Sequence, residues 1–168
     1  MTDRLDPLSY QFCEPRYFDD FAVGERFYIP SRTMTEGLFA AFQLASGDNH
    51  PIHYDRPYCK AQGHRDLLAH GFQVLIQCCI GAGVLPQIMG PSLIGFIEQS
   101  SRFLGPVYCG DTVYPSVVIT HLKPQRTTGV MTCAATVHNQ DGRLVLEGEQ
   151  KYLLRRRPDA EPPGQSPS

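Results

Sequence analysis

LLAHGFQVLIQCCIGAGVL, residues 67–85, is the stretch that decides the fold, because it is apolar on nearly every side. A helix that is apolar all round is a buried one. The stretch therefore predicts one central buried helix. Gly81 and Gly83 weaken its end, and Pro86 is predicted to close it.

After this stretch the apolar pattern changes from a helical period to the alternation of strands. Long strands are predicted over 92–103, 112–122, 130–140 and 144–155, and an earlier strand over 24–34. Turn signals separate the long strands, and Asp141-Gly142 is a good hairpin turn. Successive long strands favour an antiparallel sheet. The predicted fold class is therefore α+β, a long antiparallel sheet wrapped around a central buried helix.

The length of 168 residues is enough for one domain with a proper core. Residues 1–17 are polar and aromatic and are predicted to form an N-terminal arm, with the domain over 18–157. The last stretch, 158–168, is rich in Pro, Gly and Ser and is predicted to be disordered. No segment has the features of a signal peptide or of a membrane span.

The balance of charge excludes some classes of partner. A formal net charge of -2 gives no footprint for nucleic acid or an anionic membrane surface. The six cysteines form no CxxC pair, and several lie in apolar segments. Reduced thiols of this kind are typical of a cytoplasmic protein, which is the location that we expect.

A loop with acid–base character precedes the central stretch. Thr35 predicts a helix start, and Gly47 ends that helix. SGDNHPIHYD follows over residues 46–55, so that Asp48, His50 and His53 lie close together in the chain. A carboxylate and an imidazole in one place can share the two halves of a proton transfer near neutral pH.

Three motifs in this order resemble the MaoC-like, (R)-specific enoyl-CoA hydratase family. The loop is similar to that family's [ST]-G-D-x-N-P-[hydrophobic]-H-x-D, and AHGF over 69–72 to its [AV]-H-G-[MF]. FLGPVYCGDTV over 103–113 is similar to F-x-x-P-V-x-x-G-D-x-V. The resemblance covers about residues 18–155. It implies a hot-dog fold and a homodimer with its acyl-CoA sites near the interface.

The resemblance also implies roles for particular residues. Asp48 and His53 would be the catalytic pair that activates one water for the reversible hydration of a 2-enoyl-CoA thioester. The N–H of Gly71, at the start of the central helix, would stabilise the thioester oxyanion. Asn49 and His50 are candidate substrate-binding residues. The acyl-CoA is itself the substrate, so no cofactor is expected.

This chain departs from the family pattern at two positions. His50 stands where the family has Asn, with Asn49 one residue earlier, and Cys79 stands where well-known members have Ser. These departures leave the acyl group open. Within the motifs, His70 is predicted to be a structural hydrogen-bonding residue rather than a catalyst.

Other functions remain open from the sequence. A hot-dog acyl-CoA thioesterase would also use a carboxylate and helix N–H groups, and a non-catalytic acyl-CoA-binding protein would keep the fold. A second proton-transfer group beside Asp48 favours hydration over both. The side chains of the loop and its surroundings also suit zinc. However, no HxH or HxxxH helical pair occurs, and we expect no metal. The candidate ligands are Asp48, His50, His53, Asp55, His64 and His70.

Overall fold

Six strands form one antiparallel sheet in the computed structural model, which describes residues 6–158. The strands follow the order β1-β4-β5-β6-β3, and β2 pairs separately with β4. The strands are β1 Arg26–Tyr28, β2 Arg32–Thr33, β3 Leu93–Phe103, β4 Thr112–Pro124, β5 Thr128–Asn139 and β6 Leu144–Arg155. The α-helices are α1 Glu36–Ser46, α2 Arg56–Ala61, α3 Gly71–Leu75 and α4 Leu85–Met89.

The α+β class and the four long antiparallel strands agree with the sequence-based prediction. The single strand predicted over 24–34 is wrong, because the structure has the two short strands β1 and β2 there. Pro30 lies between them. Proline has no N–H to donate to a sheet ladder, which explains the interruption. Thr35 begins α1 as predicted, and its side chain accepts a hydrogen bond from the Leu38 N–H.

The central stretch corrects the prediction of one long helix over 67–85. Only Gly71–Leu75 is α-helical, followed by 3-10 turns at Ile76–Cys78 and Ile80–Ala82, with Cys79 in an extended conformation between them. Gln150 of β6 donates to the Cys78 carbonyl at 3.2 Å, so the interrupted backbone finds a partner on the sheet. Pro86 does not close a helix but lies in the first turn of α4, where its missing N–H costs nothing.

The central segment is also not buried on every side. Gln73 and Val74 of α3 pack inward, as does Cys78 after it. Phe72 is 61% exposed and Ile76 is 49% exposed, so one apolar face of the segment is uncovered in the single chain.

The predicted domain division stays a prediction. Within the arm, the Arg16 N–H donates to the Ile88 carbonyl, and its guanidinium pairs with Glu25. Arg157 pairs with Asp20, which ties the end of β6 to the same region. The predicted disordered tail lies outside the described residues from 159 onward. Over residues 6–158, none of the helices has the length and apolar character that crossing a membrane requires.

Candidate active site

The loop after α1 is shaped by its own sequence. Gly47 ends the helix in the left-handed conformation, with φ of 70°, which favours glycine over residues with a side chain. The chain therefore turns away from the helix axis just before Asp48. The Asp48 carboxylate accepts the N–H of His50 at 2.9 Å, and a 3-10 turn at Pro51–His53 follows. A local hydrogen bond of the loop thus fixes the direction of the Asp48 side chain.

A second segment joins the loop to the sheet. In residues 67–70, Leu68 forms an antiparallel bridge with Tyr108, and its N–H donates to the Ile52 carbonyl at 3.1 Å. The Ala69 N–H donates to the Val107 carbonyl at 2.8 Å, so this segment runs between the loop and the chain that leads into β4. His70 then begins α3 and accepts the Phe72 N–H on its Nδ1 at 3.0 Å.

Three side chains meet where the two segments touch. His70 Nε2 lies 3.1 Å from Asp48 Oδ2, and the rings of His53 and His70 have their centroids 5.1 Å apart. One polar atom from each of Asp48, His53 and His70 lies within 4.8 Å of the others. Asp48 and His70 are half-buried, with 31% and 25% of their side chains exposed, so water and a substrate can reach them.

The surroundings of Asp48 favour its ionised form. The backbone N–H of His50 is the largest cause that lowers the pKa of Asp48 from its usual value. The nearby imidazoles of His53, His70 and His50 act in the same direction, and partial burial opposes them. Asp48 is therefore a carboxylate at neutral pH and can accept a proton.

The orientation of His53 makes it a second acceptor. Its Nδ1 lies 2.6 Å from the Leu68 carbonyl oxygen. A carbonyl can only accept, so Nδ1 carries the proton and the neutral ring keeps a lone pair on Nε2. A backbone contact thus leaves the outer nitrogen of His53 free to take a proton.

The structure brings together most of the residues predicted from the sequence. Asp48 and His53 are neighbours, and Gly71 directly follows His70, which contacts Asp48. His50 contributes its backbone N–H to Asp48, while its ring is exposed. Asn49 is exposed and hydrogen-bonds Gln43 and the Gly47 carbonyl, which fixes the loop.

His70 accepts the Phe72 N–H and faces Asp48, so it lies within the site, and its structural hydrogen-bonding role stays a prediction. The sequence signal was its place beside Gly71 in the AHGF motif. Asp48, His53 and His70 offer ligand types that suit zinc. However, the Phe72 N–H occupies Nδ1 of His70, so its Nε2 carries a proton in the neutral ring. That nitrogen is a donor to Asp48 rather than a metal ligand.

An apolar cavity of about 460 Å³ begins one helical turn after Gly71. Its lining includes Leu75 and Ile76 of the central segment, Phe96 of β3 and Tyr152 of β6. Cys79, the position where the chain departs from the family pattern, lines it as well. The cavity is suited in size and polarity to a small apolar group.

Comparison with known proteins agrees with this architecture. The model of the MaoC like domain family matches residues 20–140. An (R)-specific enoyl-CoA hydratase of Rhodospirillum rubrum is 28% identical over 142 residues, covering 82% of this chain and 91% of that protein. A 3-hydroxybutyryl-CoA dehydratase of Methylorubrum extorquens is 27% identical over 150 residues, covering 87% of this chain and 88% of that protein.

Solved structures show the same fold. A monoamine oxidase regulatory protein from Archaeoglobus superposes with a TM-score of 0.80 at 29% identity, covering 89% of this chain and all 100% of that one. A double-hotdog protein from Mycobacterium tuberculosis gives a TM-score of 0.74 at 29% identity, covering 88% of this chain and 46% of that one. With its antiparallel sheet, central segment and matched motifs, the chain belongs to the MaoC-like domain family and has the hot-dog fold.

Proposed function

We propose that this protein catalyses the reversible hydration of a 2-enoyl-CoA thioester to a 3-hydroxyacyl-CoA. Relatives in the family carry the names of enoyl-CoA hydratases and hydroxyacyl dehydratases. The observation that carries the proposal is the pair of proton acceptors, an ionised Asp48 beside a His53 whose Nε2 has a free lone pair. Such a pair is suited to hold one water and remove its proton.

In the hydration direction, Asp48 and His53 hold the water between them. Its oxygen bonds to the β-carbon of the substrate while the pair takes one proton. The π electrons of the alkene move toward the α-carbon and the thioester oxygen. A proton from the pair then forms the new C–H bond at the α-carbon, so that the pair ends as it began. Both new bonds form on one face, which gives syn addition.

The thioester oxygen gains negative charge in this step and needs a donor. The N–H of Gly71 is the proposed donor, because the first N–H of a helix has no partner within it. A Cβ at position 71 would lie 3.1 Å from the Phe103 ring, so glycine also lets this ring pack against the start of α3. His50 and Asn49 are proposed to contact the substrate at the exposed rim of the loop.

The proposed substrate is a CoA thioester and no cofactor is required, because the reaction neither oxidises nor reduces the substrate. The acyl group is proposed to extend along α3 from Gly71 into the cavity at Leu75 and Ile76. All six cysteines are free thiols, which supports the expected cytoplasmic location.

We also propose a homodimer. β3 is an edge strand of the sheet, and large apolar side chains along it and on the neighbouring central segment are exposed. Exposed apolar edges of this kind invite pairing with another chain. The exposed residues are Phe72, Ile76, Ile94, Phe96, Ile97, Phe103 and Leu104. A second copy of the chain would cover these side chains and would form the remaining walls of the proposed active site.

The experiment that tests the reaction follows the absorbance of the conjugated thioester for a panel of straight and branched 2-enoyl-CoA substrates. We expect the signal to fall in the wild type, and Asp48→Asn and His53→Ala each to lower the rate ~100-fold or more. The matched controls are Asp141→Asn and His121→Ala, both at exposed positions. Wild-type rates in either site variant would contradict the proposal, and thiol release without hydration would indicate a thioesterase.

A further inference from the structure

The two histidines that flank Asp48 are anchored to the backbone through opposite kinds of contact. The Phe72 N–H donates to Nδ1 of His70, so that nitrogen bears no proton, and the neutral ring carries its proton on Nε2. His53 is the reverse, because the Leu68 carbonyl requires a proton on Nδ1. The fold therefore presents an N–H from one ring and a lone pair from the other.

We propose that His70 is a positioning residue, held by the cap of α3 as the neutral Nε2–H tautomer so that this N–H orients the Asp48 carboxylate. This inference rests on the proposed hydration, in which Asp48 and His53 share the water. It assigns His70 no contact with the substrate. Its effect on the reaction passes through Asp48.

The contacts of Asp48 show why the orientation is well defined. One carboxylate oxygen accepts the His50 N–H at 2.9 Å, and the other faces His70 Nε2 at 3.1 Å. With one donor on each oxygen, rotation of the carboxylate breaks at least one hydrogen bond. The remaining lone pairs of the Asp48 carboxylate therefore point in a fixed direction, toward the water of the proposed reaction.

Two aromatic rings lie close to His70. Its ring centroid lies 5.2 Å from that of Phe42 and 5.6 Å from that of Phe72, which is stacked on it. A second proton on Nδ1 would point at the Phe72 N–H and break the helix cap. The titratable groups near the Asp48–His70 contact are His53, His50 and Tyr54.

The test separates the cap from the contact with Asp48. Asparagine is among the best N-cap residues, but its side chain is too short to reach Asp48 from position 70. His70→Asn therefore keeps the cap and loses the Asp48 contact, whereas His70→Ala loses both. We expect His70→Asn to unfold at nearly the wild-type temperature and His70→Ala at a lower one. Both should lower kcat ~10- to 100-fold, with KM little changed.

A purely structural role would not change the pH dependence, whereas the positioning role does. Losing the His70 N–H raises the pKa of Asp48, so the acidic limb of the rate profile of His70→Asn should move to higher pH. A wild-type kcat and an unmoved acidic limb in a folded His70→Asn variant would overturn the inference.

The tautomers can be measured without any activity. In ¹⁵N-labelled wild-type protein, long-range ¹H–¹⁵N spectra should show an unprotonated Nδ1 for His70 and a protonated Nδ1 for His53. The His70→Asn spectrum assigns the His70 signals. A proton on Nδ1 of His70 overturns the inference whether or not the protein hydrates enoyl-CoA. The expected tautomers in a protein without hydratase activity would support the geometry and count against the proposed function alone.

Discussion

Asp48 takes its properties from one backbone group above all. The His50 N–H is the largest cause of the lowered pKa of Asp48, ahead of the surrounding imidazoles. Because this pKa is depressed, the carboxylate is present above it and is lost as the pH falls through it. An activity that needs the ionised Asp48 should therefore be lost as the pH falls through this pKa.

This origin can be tested by removing the N–H. His50 has φ of -60°, which proline can adopt, and in His50→Pro the ring carbon on the nitrogen replaces the N–H and displaces the Asp48 carboxylate from it. We expect the pKa of Asp48 to rise, and the acidic limb of the pH–rate profile to move to higher pH. His50→Ala keeps the N–H and is the matched control for the lost ring. Equal profiles for the two variants would show that the N–H has no such effect.

For individual residues, the sequence predicts contacts between residues that are close along the chain. Asp48 and His53 lie on one short loop, and Gly47 and Pro51 constrain its backbone, so their meeting could be expected. The contact of His70 with Asp48 could not be expected from the sequence. It depends on the pairing of Leu68 with Ile52 across the site, which no local pattern encodes.

The C-terminal end of α1 sets the position of the loop that carries Asp48. Gly47 leaves the helix at positive φ and donates its N–H to the Gln43 carbonyl at 2.9 Å. A residue with a Cβ in this conformation costs about 1–2 kcal/mol. The position of Asp48 thus depends on a helix terminus as well as on its own contacts.

Two glycine substitutions in or beside α1 should have opposite effects. Gly47→Ala should lower the free energy of unfolding by ~1–2 kcal/mol and also reduce kcat, because Asp48 moves with the turn. Gly37→Ala lies in the helix, where the added Cβ meets only Thr35 Oγ1 at 3.7 Å, and should raise the free energy by ~0.5–1 kcal/mol. Chemical denaturation measures both. A neutral Gly47→Ala would contradict the assigned role of the turn.

The elements differ in how far local sequence determines them. Alternating apolar residues and clear turns were enough to predict β3 to β6, with ends that differ by a few residues. The central stretch was not predictable from composition. A continuous apolar run is compatible with a helix, but Gly81 and Gly83 weaken it and the side chain of Gln150 on β6 hydrogen-bonds the Cys78 carbonyl. A contact between distant parts of the chain decides the local structure there.

In the whole molecule, α3 and β3 share an exposed apolar face among the described residues. The prediction of a fully buried central helix was wrong because Phe72 and Ile76 are exposed in the single chain, and apolar composition alone does not determine exposure. The proposed dimer explains both the composition and the exposure.

A charge on the β3 edge tests this dimer. Ile97 is 52% exposed, and Ile97→Glu would place a carboxylate in the proposed interface. We expect light scattering to give a dimer for the wild type and a dissociation constant at least ~10-fold higher for Ile97→Glu, since a buried unpaired charge is costly. Tyr114→Glu is the control, because Tyr114 is 49% exposed on β4, away from that edge. A monomeric wild type would contradict the proposal.

The interruption at Cys79 has a consequence for how such proteins diversify. It separates a first part, which carries Gly71 beside the Asp48 loop and lines the apolar cavity with Leu75 and Ile76, from a second part, which lines the same cavity with Ile80 and Gly81. Substitutions in the second part can enlarge or narrow the cavity while the first part stays anchored to the loop. Under the proposed function, mutation and selection can thus change which acyl group is preferred in a lineage while the acid–base chemistry is inherited intact.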